Sequence, residues 1–164
     1  MSKEQKKVIE AFEHSGSLPT GEGGGRGHHT VYFSLGSNLG DKKQNLSTAI
    51  KLMEEQIGVL VRQSAFLATE PWGFQSDNSF VNAAICMDTE LDPFEVLERT
   101  QKIEREMGRT IKSTNGEYHD RIIDIDILLY DDLHINTPQL TIPHPLMEQR
   151  DFVMIPLREI LHFK

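Results

Sequence analysis

Arg121-Ile122-Ile123-Asp124-Ile125-Asp126-Ile127-Leu128-Leu129-Tyr130 is the stretch on which the fold of this chain turns. Its isoleucines are β-branched and dense enough for a core strand, in which successive side chains alternate between faces. Asp124 and Asp126 then share a face, with Cα atoms roughly 7 Å apart. Bare negative charges at that spacing repel each other and lose hydration on burial. Hard cations remove the conflict, because Mg²⁺ takes carboxylate and phosphate oxygens together and a pair of such ions can clamp an in-line displacement. Arg121, just ahead of the first aspartate, adds a planar fork of donors suited to phosphate oxygens. The competing reading is an exposed edge or an ion-pair face. The isoleucines weigh against it, since one face must still be covered by core.

Upstream, Thr30 to Leu35 is a compact β run that breaks at Gly36-Ser37-Asn38-Leu39-Gly40-Asp41. Asp41 can cap a helix in which Leu46, Ala49, Ile50, Met53 and Ile57 recur at helical spacing. Such a turn can bring N–H groups to an anion, though Gly-Ser-Asn-Leu-Gly by itself is more often only a tight connection. Gly58 ends the helix, and Val59 to Ala68 reads as a second strand. The loop from Thr69 to Asn78 carries Trp72 and Phe74, as a lid or stacking surface or as aromatics that anchor the loop. Phe80 to Met87 is a third strand interrupted by Asn82, whose amide needs partners if buried, on a heterocycle edge or on neighbouring backbone.

Asp92-Pro93, with Glu95 placed for a capping box, opens a second helix with Val96, Thr100, Ile103 and Met107 inward and Gly108 as its stop. Arg109 to Asp120 is a polar loop, and Arg109 and Lys112 in it suit a phosphate clamp beside the acidic strand. Beyond Tyr130 the chain turns at Asp131-Asp132 and reaches Leu140-Thr141-Ile142-Pro143-His144-Pro145. Two prolines stiffen the backbone around His144, a candidate donor to a phosphate or leaving group unless the segment is only a rigid turn. Val153 to Leu161 is a short apolar segment that closes the core. Strand, helix, strand, strand, helix, strand is the ferredoxin-like split βαβ order of an α+β sandwich: a mostly antiparallel sheet with helices on one face and other elements making a third layer.

A length of 164 residues fits one domain. With 17 Lys and Arg against 25 Asp and Glu, a net charge of −8 argues against a nucleic-acid surface and requires phosphate-handling cations to be concentrated or borrowed from metal ions. Cys86 alone permits no disulfide within the chain and is most simply a core residue. No segment has the apolar length of a membrane span or a signal core, so the protein is expected to be cytoplasmic and without a membrane partner; a monomer is expected. Residues 1–29, glycine-rich and ending in His28-His29, are expected to be a flexible extension, with 30–164 as the single folded domain.

Several separated motifs resemble the 6-hydroxymethyl-7,8-dihydropterin pyrophosphokinases of folate biosynthesis. They are Ser34-Leu35-Gly36-Ser37-Asn38-Leu39-Gly40, Thr69-Glu70-Pro71, Phe80-Val81-Asn82-Ala83-Ala84, Gln101-Lys102-Ile103-Glu104 with Gly108-Arg109, Asp120 to Asp126, and Leu140-Thr141-Ile142-Pro143-His144. The resemblance implies transfer of pyrophosphate from ATP to the pterin hydroxymethyl group, with release of AMP. It assigns Asp124 and Asp126 to two Mg²⁺ ions and puts Arg109 and Arg121 with them in the catalytic set. It places Gly36, Thr69, Pro71, Trp72 and Asn82 against the pterin, with Phe80 and Phe152 as sandwiching rings. Arg109, Lys112, Tyr118, Arg121, His144 and Arg150 fall toward the triphosphate, and Gln101, Glu104, Ile127 and Thr141 toward the nucleoside. Ile111 and Gln139 stand where the family often has arginine, and Tyr118 stands in for a frequent tryptophan in a longer loop. Two other readings are a nucleotidyltransferase, whose Gly-Ser turn and Asp-x-Asp pair need to be adjacent, and a non-catalytic ferredoxin-like nucleotide-binding module.

Overall fold

The computed structural model describes residues 27–69, 80–108 and 122–161. In chain order they form β1 (His29–Ser37), α1 (Lys42–Gln56), β2 (Gly58–Gln63), β3 (Leu67–Thr69), β4 (Phe80–Thr89), α2 (Pro93–Gly108) and β5 (Asp124–Tyr130). The short strands β6 (Ile135–Asn136) and β7 (Thr141–Ile142), a 3-10 turn (Met147–Gln149) and α3 (Asp151–Leu161) follow. The main sheet runs β2-β4-β1-β5 with every pairing antiparallel, and β3 continues beside β4.

Alternation along the central strands separates two cores. Val31, Phe33 and Leu35 of β1 and Ile123, Ile125 and Ile127 pack under Leu46, Ile50 and Met53 of α1 and Val96 and Ile103 of α2. On the other face Tyr32, Ala84, Cys86 and Leu128 meet Val153, Met154, Leu157 and Ile160 of α3. The molecule is therefore a mixed α/β sandwich of three layers with an antiparallel sheet in the middle. Cys86 lies in the core, and burial pushes its thiol up to about 11.

Both expected helix starts form. Asp41 accepts the Gln44 N–H at 3.2 Å. Asp92 and Glu95 exchange reciprocal bonds, Glu95 N–H to Asp92 Oδ1 at 2.8 Å and Asp92 N–H to Glu95 Oε1 at 3.0 Å. Gly58 is required between α1 and β2 for a second reason, since a Cβ there would run into the Asp88 carbonyl.

Three expectations change. β1 continues through Gly36 and Ser37, which pair with Asn82 and Val81 of β4, so the turn is made by Asn38-Leu39-Gly40, with Gly40 at φ +72°. The single strand expected from Val59 to Ala68 is two strands. Ser64 breaks it: its side chain is buried, its N–H donates to the Ala84 carbonyl and its Oγ accepts the Ala84 N–H, both at 2.9 Å. A hydroxyl thus replaces a backbone partner, and the register slips by one residue between Gln63↔Ile85 and Leu67↔Asn82. Finally, His28 and His29 are not part of a free tail. His29 opens β1 and its Nδ1 lies 2.7 Å from Asp131 Oδ2, while His28 Nδ1 lies 3.0 Å from Asp88 Oδ1.

Candidate active site

Residues directly opposite one another in an antiparallel sheet point to the same face. Gly36 faces Asp124 on β5 and Asn82 on β4, and Asn82 faces Leu67 of β3. One step along, Ser34 faces Asp126 and Ala84. This is the face that carries α3, but at these rows the sheet sets carboxylates, a glycine and an amide beside the aliphatic Leu67 and Ala84.

Gly36 is needed there for what it lacks. A Cβ on it would stand 2.6 Å from Asn82 Oδ1 and 3.9 Å from Phe80 Cδ1, so the Asn82 amide and the Phe80 ring lean into the space above the glycine. Asn82 is 3% exposed, and its Nδ2 finds no hydrogen-bond partner among the described residues. A buried amide donor left unmatched costs about 1–3 kcal/mol, which an acceptor on a bound heterocycle would recover.

β5 is the outer strand, so half of its backbone groups face away from β1. The Ile125 N–H donates to Glu104 Oε2 at 2.7 Å, and the Leu128 carbonyl accepts the His144 N–H at 3.1 Å. Glu104 therefore reaches around the sheet edge from α2, on the opposite layer, to the acidic pair. Burial raises its carboxyl to about 7. The Ile125 N–H opposes that rise, while the charges of Asp124 and Asp126 and a side-chain hydrogen bond with Asp124 add to it. Three carboxylates, those of Glu104, Asp124 and Asp126, therefore act on one another here. His144 is pushed below its usual range by burial and then by Arg150, with Asp124 pulling the other way. The Arg150 guanidinium sits 5.8 Å from the centre of the Phe152 ring, itself 38% exposed at the start of α3.

The donor set fits Mg²⁺. Two half-buried carboxylates on one strand face supply hard oxygens, while most of the coordination shell is left for phosphate and water. Among the described residues no group of three or more His, Cys, Asp or Glu is arranged to enclose an ion by itself. A cation held there keeps coordination positions open for phosphate or water.

Of the other residues singled out from sequence, Gln101 lies exposed on α2, one turn before Glu104. Ile127 is 4% exposed and packs into the helix-covered core, so only its backbone can meet a ligand. Thr141 is half-buried and pairs with Asn136. Thr69 pairs with Phe80 through the backbone of β3. Pro71, Trp72, Arg109, Lys112, Tyr118 and Arg121 lie outside the described residues. Sequence reasoning missed the reach of Glu104 to the Ile125 N–H. The only hint available was that an outer strand of this polarity must find partners for its outward amides.

The sequence model of the family described as 7,8-dihydro-6-hydroxymethylpterin-pyrophosphokinase matches residues 32–162. The 2-amino-4-hydroxy-6-hydroxymethyldihydropteridine pyrophosphokinase of Porphyromonas gingivalis is 51% identical over 131 residues, covering 79% of this chain and 89% of that protein. The protein of the same name from Bacillus subtilis is 42% identical over 134 residues, covering 81% and 78%. Among solved structures, wild-type Plasmodium falciparum HPPK-DHPS with pterin and p-hydroxybenzoate superposes with a TM-score of 0.62 at 18% identity, over 80% of this chain and 38% of that longer one. That last likeness speaks for the fold alone. With a match of this extent and relatives this similar, the chain belongs to the 7,8-dihydro-6-hydroxymethylpterin-pyrophosphokinase family.

Proposed function

We propose that this chain transfers the pyrophosphoryl group of ATP to the hydroxymethyl oxygen of 6-hydroxymethyl-7,8-dihydropterin, giving AMP and the pterin diphosphate, a step of tetrahydrofolate biosynthesis. The observation that carries the reading is the row Asp124, Gly36, Asn82, which sets an acidic pair and an unmatched buried amide on either side of a glycine. Two Mg²⁺ ions on Asp124 and Asp126 supply countercharge to the triphosphate when bound. The pterin hydroxyl oxygen attacks the β-phosphorus, the bond from that phosphorus to the oxygen retained by AMP breaks, and the hydroxyl proton passes to solvent.

The protein's share in such a transfer is position and electrostatics. Asn82 donates to the pterin edge, and Gly36 leaves room for the ring. Phe80 and Phe152 stack on it, and the backbone of Thr69 borders it, with Pro71 and Trp72 beyond. His144 and Arg150 approach the phosphates from the segment joined to β5, together with Arg109, Lys112, Tyr118 and Arg121. Gln101, the Ile127 backbone and Thr141 lie toward the nucleoside, while Glu104 holds the Ile125 N–H. The strand order β2-β4-β1-β5 supports reading the scaffold as a ferredoxin-like split βαβ sandwich, with α3 as its added layer. The catalytic unit is the single domain that begins with His28 and β1, after an N-terminal extension, working as a monomer in the cytoplasm. No helix among the described residues is long and apolar enough to cross a membrane.

Incubation with ATP, Mg²⁺ and the hydroxymethyl dihydropterin tests this. AMP and the pterin diphosphate are expected. Free pyrophosphate would indicate nucleotidyl transfer, and binding without product would indicate a non-catalytic module.

A further inference from the structure

We propose that Glu104 is a positioning residue for the acidic strand: by accepting the outward Ile125 N–H, it fixes the peptide from which Asp124 and Asp126 both diverge. The inference rests on reading that pair as the cation ligands. Ile125 lies between the two aspartates, and its side chain is buried among the helix-facing residues, 6% exposed. Its side chain and the β1 pairing anchor the strand on two sides. The remaining direction is the open edge of the sheet, where the Glu104 Oε2 contact at 2.7 Å closes it. The residues flanking Ile125 project to the face opposite its own side chain, so a tilt of this one peptide plane re-aims both carboxylates at once. α2 is well placed to hold the contact. Ile103, one residue before Glu104, is fully buried, and Thr100, one turn earlier, is 1% exposed with its hydroxyl bonded to the Leu97 carbonyl at 2.8 Å. Glu104 thus ties the acidic pair to a helix whose own seat is the core, through the Ile125 N–H on the strand backbone and a side-chain hydrogen bond with Asp124.

Glu104→Gln keeps an acceptor for the N–H, whereas Glu104→Ala removes it. Two readouts are taken, neither of them activity: exchange of the Ile125 amide by NMR in metal-free protein, and Mn²⁺ affinity by calorimetry with a non-hydrolysable ATP analogue. In Glu104→Ala the Ile125 amide is expected to exchange at least ~10-fold faster while the Val31 and Phe33 amides are unchanged, and Mn²⁺ affinity is expected to fall about 10–100-fold. Glu104→Gln should stay within about threefold of the parent in both. The inference is overturned if Glu104→Ala binds Mn²⁺ as tightly as the parent, or if Glu104→Gln is as impaired as Glu104→Ala, which would make charge and not the hydrogen bond the operative feature. Asp124→Asn separates the two levels. If it binds Mn²⁺ normally, the reading of the acidic pair fails. If it loses Mn²⁺ while Glu104→Ala does not, only the positioning role fails.

Discussion

A single missing methyl group decides how the Asn82 side of the site is built. Gly36 sits in mid-strand, and any side chain there meets the Asn82 amide oxygen at 2.6 Å. Gly36→Ala is therefore expected to swing Asn82 out of place, raising the KM for the pterin at least ~10-fold while ATP affinity stays within about twofold, as read by steady-state kinetics and calorimetry. Asp124→Ala or Asp126→Ala should lower kcat by at least about 10²–10³, because each removes a fixed charge aimed at the phosphates. Glu104 makes a pH prediction for the metal-free protein. Its carboxyl, raised from 4.5 to about 7 first by burial, holds a proton in the folded state that the unfolded chain releases. Stability from this group is thus full below about pH 4.5 and lost as pH rises toward 7. Unfolding free energies from urea titrations at about pH 5 and pH 7.5 should fall more in the parent than in Glu104→Gln, by on the order of 1–3 kcal/mol.

Helix ends and strand breaks differ in how local their causes are. The capping box of α2 is written within four residues, Asp92 to Glu95, and forms as read. Asp92→Ala should cost ~1 kcal/mol in chemical denaturation without a change in the denaturant slope. The break between β2 and β3 has no such local signal, since Val59 to Ala68 reads as continuous strand. Its cause is Ser64 meeting Ala84 across the sheet, a partner twenty positions away. Ser64→Ala leaves the Ala84 N–H buried without that acceptor and is expected to destabilise the fold by about 1–3 kcal/mol in the same measurement. The extension of β1 through Gly36 has a similar origin. Glycine in a short polar run signals a turn locally, and only pairing on both sides, with Asn82 and Asp124, holds it extended.

For the molecule as a whole, the acidic pair should make nucleotide binding and stability interdependent. ATP with Mg²⁺ at about 100 times its dissociation constant is expected to stabilise the fold by ~2.7 kcal/mol, seen as a rise in Tm. ATP with chelator should give little of this, as should ATP with Mg²⁺ added to Asp124→Ala. The succession β1, α1, β4, α2, β5, the capped helix starts, the strand that carries the aspartates and the family were legible in the residues, because alternation, helical spacing and capping act over a few positions, whereas β2 and β3 read as one strand and α3 only as an apolar segment. Which residues stand beside Asp124 was not legible. Gly36 and Asn82 come there through antiparallel register, Glu104 by reaching around the sheet edge from the opposite layer, and His144 through its N–H on the Leu128 carbonyl. Sequence alone determined the kinds of groups present and the elements that carry them. Tertiary structure decided their company, because register and layer packing depend on hydrogen bonds and core contacts between segments far apart in the chain.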